Sequence, residues 1–262
     1  MFDAFQIAAT GMHAQQQNVD AIANNLANVN TTGFKKTRVS FTDLVSRQTE
    51  AGANNPAGNV EGAPSPMHGT GVAIAQIARS FDAGEAKKTD SAYDVTIAGD
   101  GFIEVVLPDG SRAFTRGGTL RVSADGQLAT VTGQALKPNI SIPEDLQDLT
   151  ITPDGRVLIK TARHPAATEV GQLELVRFIA PSALESLGDG LFKATEQAGE
   201  PIASRAGQDG VGTIRQGFLE GSNVKLVEEM VNLMVAQRAY EASVKVVQAS
   251  DEMLGMVNNL RK

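Results

Sequence analysis

The chain contains no cysteine and no tryptophan, has three histidines, and carries aromatic residues at only 5% of its 262 positions. Without cysteine, disulfides and thiolate metal sites are excluded, while the redox compartment stays open. So few aromatics argue against a compact enzyme with an aromatic-lined pocket. His13, His68 and His164 lie far apart in sequence and form neither a His-Glu-x-x-His motif nor a pair at helical spacing. Each reads as a surface or helix-face residue. No apolar run approaches the ~20 residues that would cross a bilayer. The first residues lack both a Lys/Arg start and a continuous apolar segment, so they do not read as a cleavable secretory signal. Lys and Arg (23) are outnumbered by Asp and Glu (30), a net charge of −7. That balance disfavours a nucleic-acid surface or a polybasic membrane patch.

Catalytic signatures are missing as well. Gly99-Asp100-Gly101 starts like a dinucleotide loop, but no third glycine follows and the context is strand, turn, strand. The Asp-Gly steps lack the acidic spacing of a calcium loop, and there is neither a G-x-S-x-G nor a P-loop. Glu104, Asp109 and Glu174 could meet in space, yet nothing marks them out as an acid–base pair. No catalytic, cofactor-binding or metal-binding residue is assigned, and the chain is not expected to be an enzyme.

What is present is concentrated at the two ends. Phe2, Phe5, Ala9, Met12, Val19, Ile22, Ala23 and Leu26 recur mostly at steps of three and four, the spacing of one helix face. Amide side chains from Gln15 to Asn25 fill most positions between, with almost no charge. Asn28 to Phe34 then supplies helix-ending and turn chemistry. At the other end Val231, Val235, Ala239, Ala242, Val246, Ala249, Met253, Val257 and Leu260 step likewise. Asn223 reads as the cap of that helix, and Glu228 and Glu229 sit where its dipole favours acid. About 35 helical residues span roughly 50 Å, more than a core of this size requires. The length points to a coiled-coil arm. Many inward positions are Ala, so the pair alone buries too little to order both segments, and neighbouring copies are expected to supply the rest.

Between the ends lie short strands. Val95 to Ile97, Phe102 to Leu107, Thr119 to Ser123, Leu128 to Thr132, Leu149 to Thr152, Arg156 to Lys160 and Leu173 to Phe178 carry the pattern. Asp109-Gly110, Asp125-Gly126, Asp154-Gly155 and Asp209-Gly210 sit between such runs, as in hairpins whose two central residues have positive φ. Ser182 to Leu187 reads as a short helical turn. Residues 50–71 are rich in Gly and Pro and have no period, which fits either a linker or an ordered interaction segment. The expected fold is α+β: long N- and C-terminal helices pairing as a coiled coil, with a central, mostly antiparallel β domain. The expected parts are 1–33 with 224–262 as the helical layer, 34–92 with 200–223 as a connecting region including loop 50–71, and 93–199 as the β domain.

Two motifs carry a resemblance. Ala23-Asn24-Asn25-Leu26-Ala27-Asn28 with Thr31-Thr32-Gly33-Phe34-Lys35-Lys36 resembles the N-terminal signature of bacterial flagellar rod and hook proteins. Glu228-Glu229-Met230-Val231-Asn232, Gln237-Arg238-Ala239-Tyr240-Glu241 and Asp251-Glu252-Met253-Leu254 resemble the C-terminal one. Tyr93 to Phe102, Phe114-Thr115-Arg116 and Gly217 to Val224 look like further landmarks, so the likeness covers the whole chain. Length and middle sequence resemble the distal-rod branch; the alternatives are a proximal rod protein and, from another class, a secreted β-rich binding module.

The resemblance implies a structural subunit of a hollow helical tube that carries torque from motor to hook and encloses the export channel. It implies a basal-body location spanning the periplasm, with no membrane insertion. Implied partners are further copies, proximal rod and hook proteins, the surrounding periplasmic and outer-membrane rings, and the flagellar type III export apparatus. The assembly interface is expected to use Phe5, Met12, Val19, Leu26, Asn24, Asn25, Asn28, Thr32, Gly33 and Phe34 at one end. At the other it is expected to use Val231, Val235, Gln237, Arg238, Ala239, Tyr240, Val246 and Met253.

Overall fold

The computed structural model describes residues 2–47, 67–162 and 166–260. Most of the Gly/Pro-rich stretch (50–66) and His164 therefore lie outside the described residues. The chain is α+β and divides into two compact units: residues 1–26, 37–78 and 226–262, and residues 27–36 with 79–225.

The first unit contains helix α1 (Phe2–Ala27), helix α2 (Leu226–Leu260) and a two-stranded sheet of Thr37–Arg47 with Met67–Arg79. The sheet strands are the loosely alternating residues that begin near Lys36 and Gly71. α1 stops where the Asn/Gly-rich motif begins: Thr31 N–H donates to Asn28 O, and Gly33 takes φ +69°. α2 begins with Glu228 and Glu229 in its first turn, as its dipole favours. Asn223 does not cap it. Its carboxamide is committed to Lys36 N–H, Ser80 O and Asp82 O instead, so it serves the second unit.

Each helix leaves large apolar residues outside the face it shields. On α1 the buried residues are Ala8, Ala14, Ile22 and Asn25, while Phe5 and Ile7 are exposed. On α2 the shielded positions are Glu229, Leu233, Ala236, Ala239, Ser243, Val244, Val247, Ser250 and Leu254, mostly at steps of three and four. Five of these nine side chains are small or polar, and Ser243 and Ser250 return their hydroxyls to the carbonyls of Ala239 and Val246.

The second unit is built from antiparallel pairs. Its largest sheet runs Glu185–Gly188, Leu191–Lys193, Arg112–Thr115, Phe102–Val106, Ala135–Leu136, Leu128–Thr130, Gly117–Val122, Asp94–Ala98, Thr213–Gln216. Glu174–Arg177 joins it beside Phe102–Val106 and also pairs with Ile202–Arg205. A three-stranded sheet (Leu146–Ile151, Arg156–Thr161, Thr168–Gln172) sets Leu149 opposite Ile159 and Ile151 opposite Val157. All four of these side chains are buried in one core with Ile103, Val105 and Leu175. A second cluster is aromatic: Phe102, Phe114, Phe178 and Phe192, with Phe81 at its edge, meet in edge-to-face contacts.

Two local expectations change. Residues 182–187 do not form a helical turn of their own; a 3-10 turn at Pro181–Ala183 gives way to the strand Glu185–Gly188. The pairing of Glu185 with Lys193 and of Ser186 with Phe192 decides this against local preference. The Asp-Gly steps also differ from the expected two-residue hairpins. Gly110, Gly126 and Gly155 have positive φ but their aspartates do not, and each glycine N–H donates three residues back, to Leu107, Ser123 and Thr152. That is a type I turn closed by one left-handed glycine. At Asp209-Gly210 both residues have positive φ, yet the flanking strands pair elsewhere.

Candidate assembly surface and the junction of the motifs

The motif residues at the end of α1 are held inside their own unit. Asn25 is 2% exposed. Its Oδ1 accepts from Thr37 N–H (2.8 Å), and its Nδ2 donates to Thr37 O (2.9 Å) and to Glu229 Oε2 (3.2 Å). One amide thus pins the start of the sheet strand to α1 and ties α1 to the first turn of α2. Only a primary amide supplies an acceptor and two donors on so short a stem. Asn24 is exposed and Asn28 half-buried, with Asn28 Oδ1 accepting from Thr31 Oγ1.

Thr32, Gly33 and Phe34 belong to the second unit, where three sequence landmarks converge. Gly33 N–H donates to Glu220 O (2.7 Å), and Phe34 O accepts from Asn223 N–H (3.3 Å). Lys35 is 0% exposed; its Nζ reaches Glu220 Oε1 and Asp82 O, both at 2.7 Å. Arg116, also buried, donates from Nε to Glu220 Oε2 (3.0 Å) and from its guanidinium to the carbonyls of Gly99 and Gly101. Gly84 N–H completes the set on Glu220 Oε1 (2.9 Å). Gly84 has room for no side chain, since a Cβ there would lie 2.0 Å from Gly221 O.

One carboxylate here serves two cations. Burial pushes the Glu220 carboxyl up, but Arg116 and Lys35 outweigh it and hold the group below the ordinary glutamate value. Burial drags the Lys35 amine below its usual value, outweighing its bond to Glu220, and repulsion from the neighbouring Arg116 guanidinium adds to the drop. The cluster therefore carries one net positive charge that the three surrounding carbonyls help to solvate.

The candidate residues on the helices are mostly open. Phe5 is exposed, and Met12, Val19 and Leu26 are half-buried. Val231, Val235, Gln237, Arg238, Tyr240, Val246 and Met253 are exposed, and Ala239 is half-buried. Val227 (73%), Met230, Met234 and Met256 (59%) extend this open apolar surface around α2. An apolar groove of about 680 Å³ lies in the same unit, lined by Ala4, Ile7, Gly11, Val72, Ala242 and Val246 among others. A helix that is apolar on nearly every side is the kind that ends up buried.

Three family profiles match along the chain: "Flagella basal body rod protein" over 5–35, "Flagellar hook protein FlgE/F/G D1 domain" over 96–159 and "Flagellar basal body rod FlgEFG protein C-terminal" over 215–260. The flagellar basal-body rod protein FlgG of Borreliella burgdorferi is 46% identical over 269 aligned residues, covering 100% of both chains. The chain belongs to the flagellar basal-body rod protein FlgG family. The FlgG proteins of Agrobacterium fabrum (41% identity, 97% of this chain and 98% of that one) and Bacillus subtilis (36%, 97% of each) align over nearly the same extent. Like the family, the chain is a structural distal-rod subunit of the flagellar basal body and not an enzyme. The secreted binding module is set aside with it. No helix among the described residues is long and apolar enough to cross a membrane. The first profile's span takes in α1 and Lys35, and the third takes in Glu220, Asn223 and α2. The junction of Lys35, Glu220 and Arg116 is not legible in the sequence, although three of the quoted stretches each carry one member and the charges have opposite sign.

Proposed function

We propose that copies of this chain polymerise into the hollow helical tube of the distal rod, with α1 and α2 pairing as a coiled-coil layer. The observation that carries the reading is the large apolar surface left open on α2. At roughly 25 cal/mol per Å² of apolar area removed from water, each such valine or methionine contributes about 1–2 kcal/mol when a neighbour covers it. Within one chain the shielded stripe is too poor in large side chains to account for a 35-residue helix. Contacts that repeat head to tail without closing generate a tube rather than a ring.

On this reading the interface is formed by the apolar helix residues of the larger set expected from the sequence, Phe5, Met12, Val19 and Leu26 on α1 and Val231, Val235, Ala239, Tyr240, Val246 and Met253 on α2. The three-part organisation (helical layer 1–33 with 224–262, connecting region 34–92 with 200–223, β domain 93–199) describes how the subunit is used in the tube. Proximal rod and hook proteins adjoin the two ends, the periplasmic and outer-membrane rings surround it, and the subunit passes unfolded through the type III export apparatus without a cleaved signal. Folding of the ends is coupled to arrival at the tip, where neighbours supply the missing burial.

The test is assembly of the purified chain, with Val235→Asp beside the wild type. Filaments from the wild type and a folded, non-polymerising variant are expected. Filaments of normal form from Val235→Asp refute the use of this face.

A further inference from the structure

The chain passes between its two units four times, after residues 26, 36, 78 and 225. Inside the second unit the segments that lead to the last three of these passages are bound to one small polar cluster. Asn223 Oδ1 accepts from Lys36 N–H (2.7 Å), and its Nδ2 donates to Ser80 O (2.9 Å) and Asp82 O (3.2 Å). Ser80 N–H donates back to Lys36 O (3.0 Å), and Asn223 N–H to Phe34 O. Lys35 Nζ binds Asp82 O, and Glu220 takes Gly33 N–H on its carbonyl and Lys35, Gly84 and Arg116 on its carboxylate. Arg116 in turn is fastened to the carbonyls of Gly99 and Gly101, at the turn between two central strands of the large sheet.

We infer that Asn223 and Glu220 form a mechanical joint that holds three of these passages, those after residues 36, 78 and 225, at fixed spacing and anchors them to the β sheet. Three separate segments of backbone, 33–36, 80–84 and 220–223, meet here. Bound to one another by short, charge-assisted or bidentate contacts, they act as a single stiff member, and a load entering by one is shared by all. The ionic half of the cluster supplies the anchor to the sheet, and the Asn223 half sets the spacing of the passages. This inference rests on the reading of the chain as a rod subunit that carries torque; it assigns stiffness within the subunit to named side chains, separately from contacts between subunits.

Asn223 is a positioning residue here, and its test needs a readout that simple loss of stability would not move. In the full chain, Asn223→Ala is compared with Ile214→Val, a core change in the same unit. Hydrogen exchange is read at Lys36, Ser80, Ile97 and Val105, and bending persistence length is read on assembled filaments. With Asn223→Ala the Lys36 and Ser80 amides are expected to lose about tenfold in protection together, while Ile97 and Val105 stay as in the wild type. Its filaments form but are more flexible than those of Ile214→Val. Asn223→Asp keeps the acceptor for Lys36 N–H and loses the donors, so Lys36 protection returns and Ser80 protection does not. Loss confined to Lys36, or filaments as stiff as the wild type despite the lost protection, overturns the joint. Failure of the wild-type chain to form filaments overturns the rod reading instead, and coupled exchange then decides the joint alone.

Discussion

Replacing Glu220 by Gln keeps the shape of the side chain and removes one charge from the most densely connected point of the β unit. Lys35 Nζ, Arg116 Nε and Gly84 N–H all direct hydrogens at that carboxylate, and Lys35 is fully buried. The amide keeps one acceptor oxygen for one cation and turns its N–H pair towards the other, Lys35 or Arg116. Removing one partner of a buried ion pair costs about 3–5 kcal/mol, because the other charges stay buried without compensation. For a unit of this size each kcal/mol lowers Tm by roughly 2–4 °C, so a fall on the order of 6–20 °C is expected in thermal unfolding. The dependence on pH gives an independent check. Glu220 is held below the ordinary glutamate value of 4.5 in the folded chain, so its contribution is complete above that value. It is lost as pH falls through the lower folded pKa. Wild-type Tm should therefore drop steeply below about pH 4.5, and Glu220→Gln should show a shallower drop in that window. Adding Lys35→Met to Glu220→Gln should recover part of the loss by removing a stranded cation. A Glu220→Gln protein within 1 °C of the wild type, with the same acid profile, would show that water reaches the cluster and would refute the reasoning.

Other expectations follow from the same geometry. Asn25→Ala removes the double contact with Thr37 and strands Glu229, costing about 2–4 kcal/mol in the helical unit, measurable by denaturant unfolding. Hydrogen exchange on monomer should find protection in α1 and α2 strongest beside Asn25 and Glu229 and fading towards Ala8 and Val257; uniform strong protection would mean that the helices need no neighbours. Gly84→Ala drives a Cβ into Gly221 O and should cost about 1–3 kcal/mol or more by calorimetry, without a change in filament geometry. Phe114→Ala opens the aromatic cluster and should cost about 3–5 kcal/mol.

Much of the fold was legible because its signals are local. The ends of both helices, the alternating strands around Phe102 and Val157, and a turn at every Asp-Gly step could be read from period and turn chemistry. What escaped notice depends on distance. Strands of two to four residues such as Ala135–Leu136 and Glu185–Gly188 are too short to show a period and exist only because a partner strand selects them. The turn geometry at Asp109-Gly110 is set by the strands it joins. The Lys35–Glu220–Arg116 cluster brings together residues 185 and 104 positions apart, which no window along the chain can connect. On α2 the difficulty was of another kind. The helix is apolar nearly all round, so the sequence offers several stripes. Packing within the chain uses Ala236, Ser243 and Ser250 and leaves Val227, Met234 and Val235 open.

The identity of what covers that open face is the centre of the account, and electron cryomicroscopy of filaments grown from this protein addresses it directly. A hollow tube in which Val227, Val231, Met234 and Val235 of each copy are buried against neighbouring helices is the expected result. A tube in which those side chains face solvent or the channel, with subunits joined only through their β units, would contradict it.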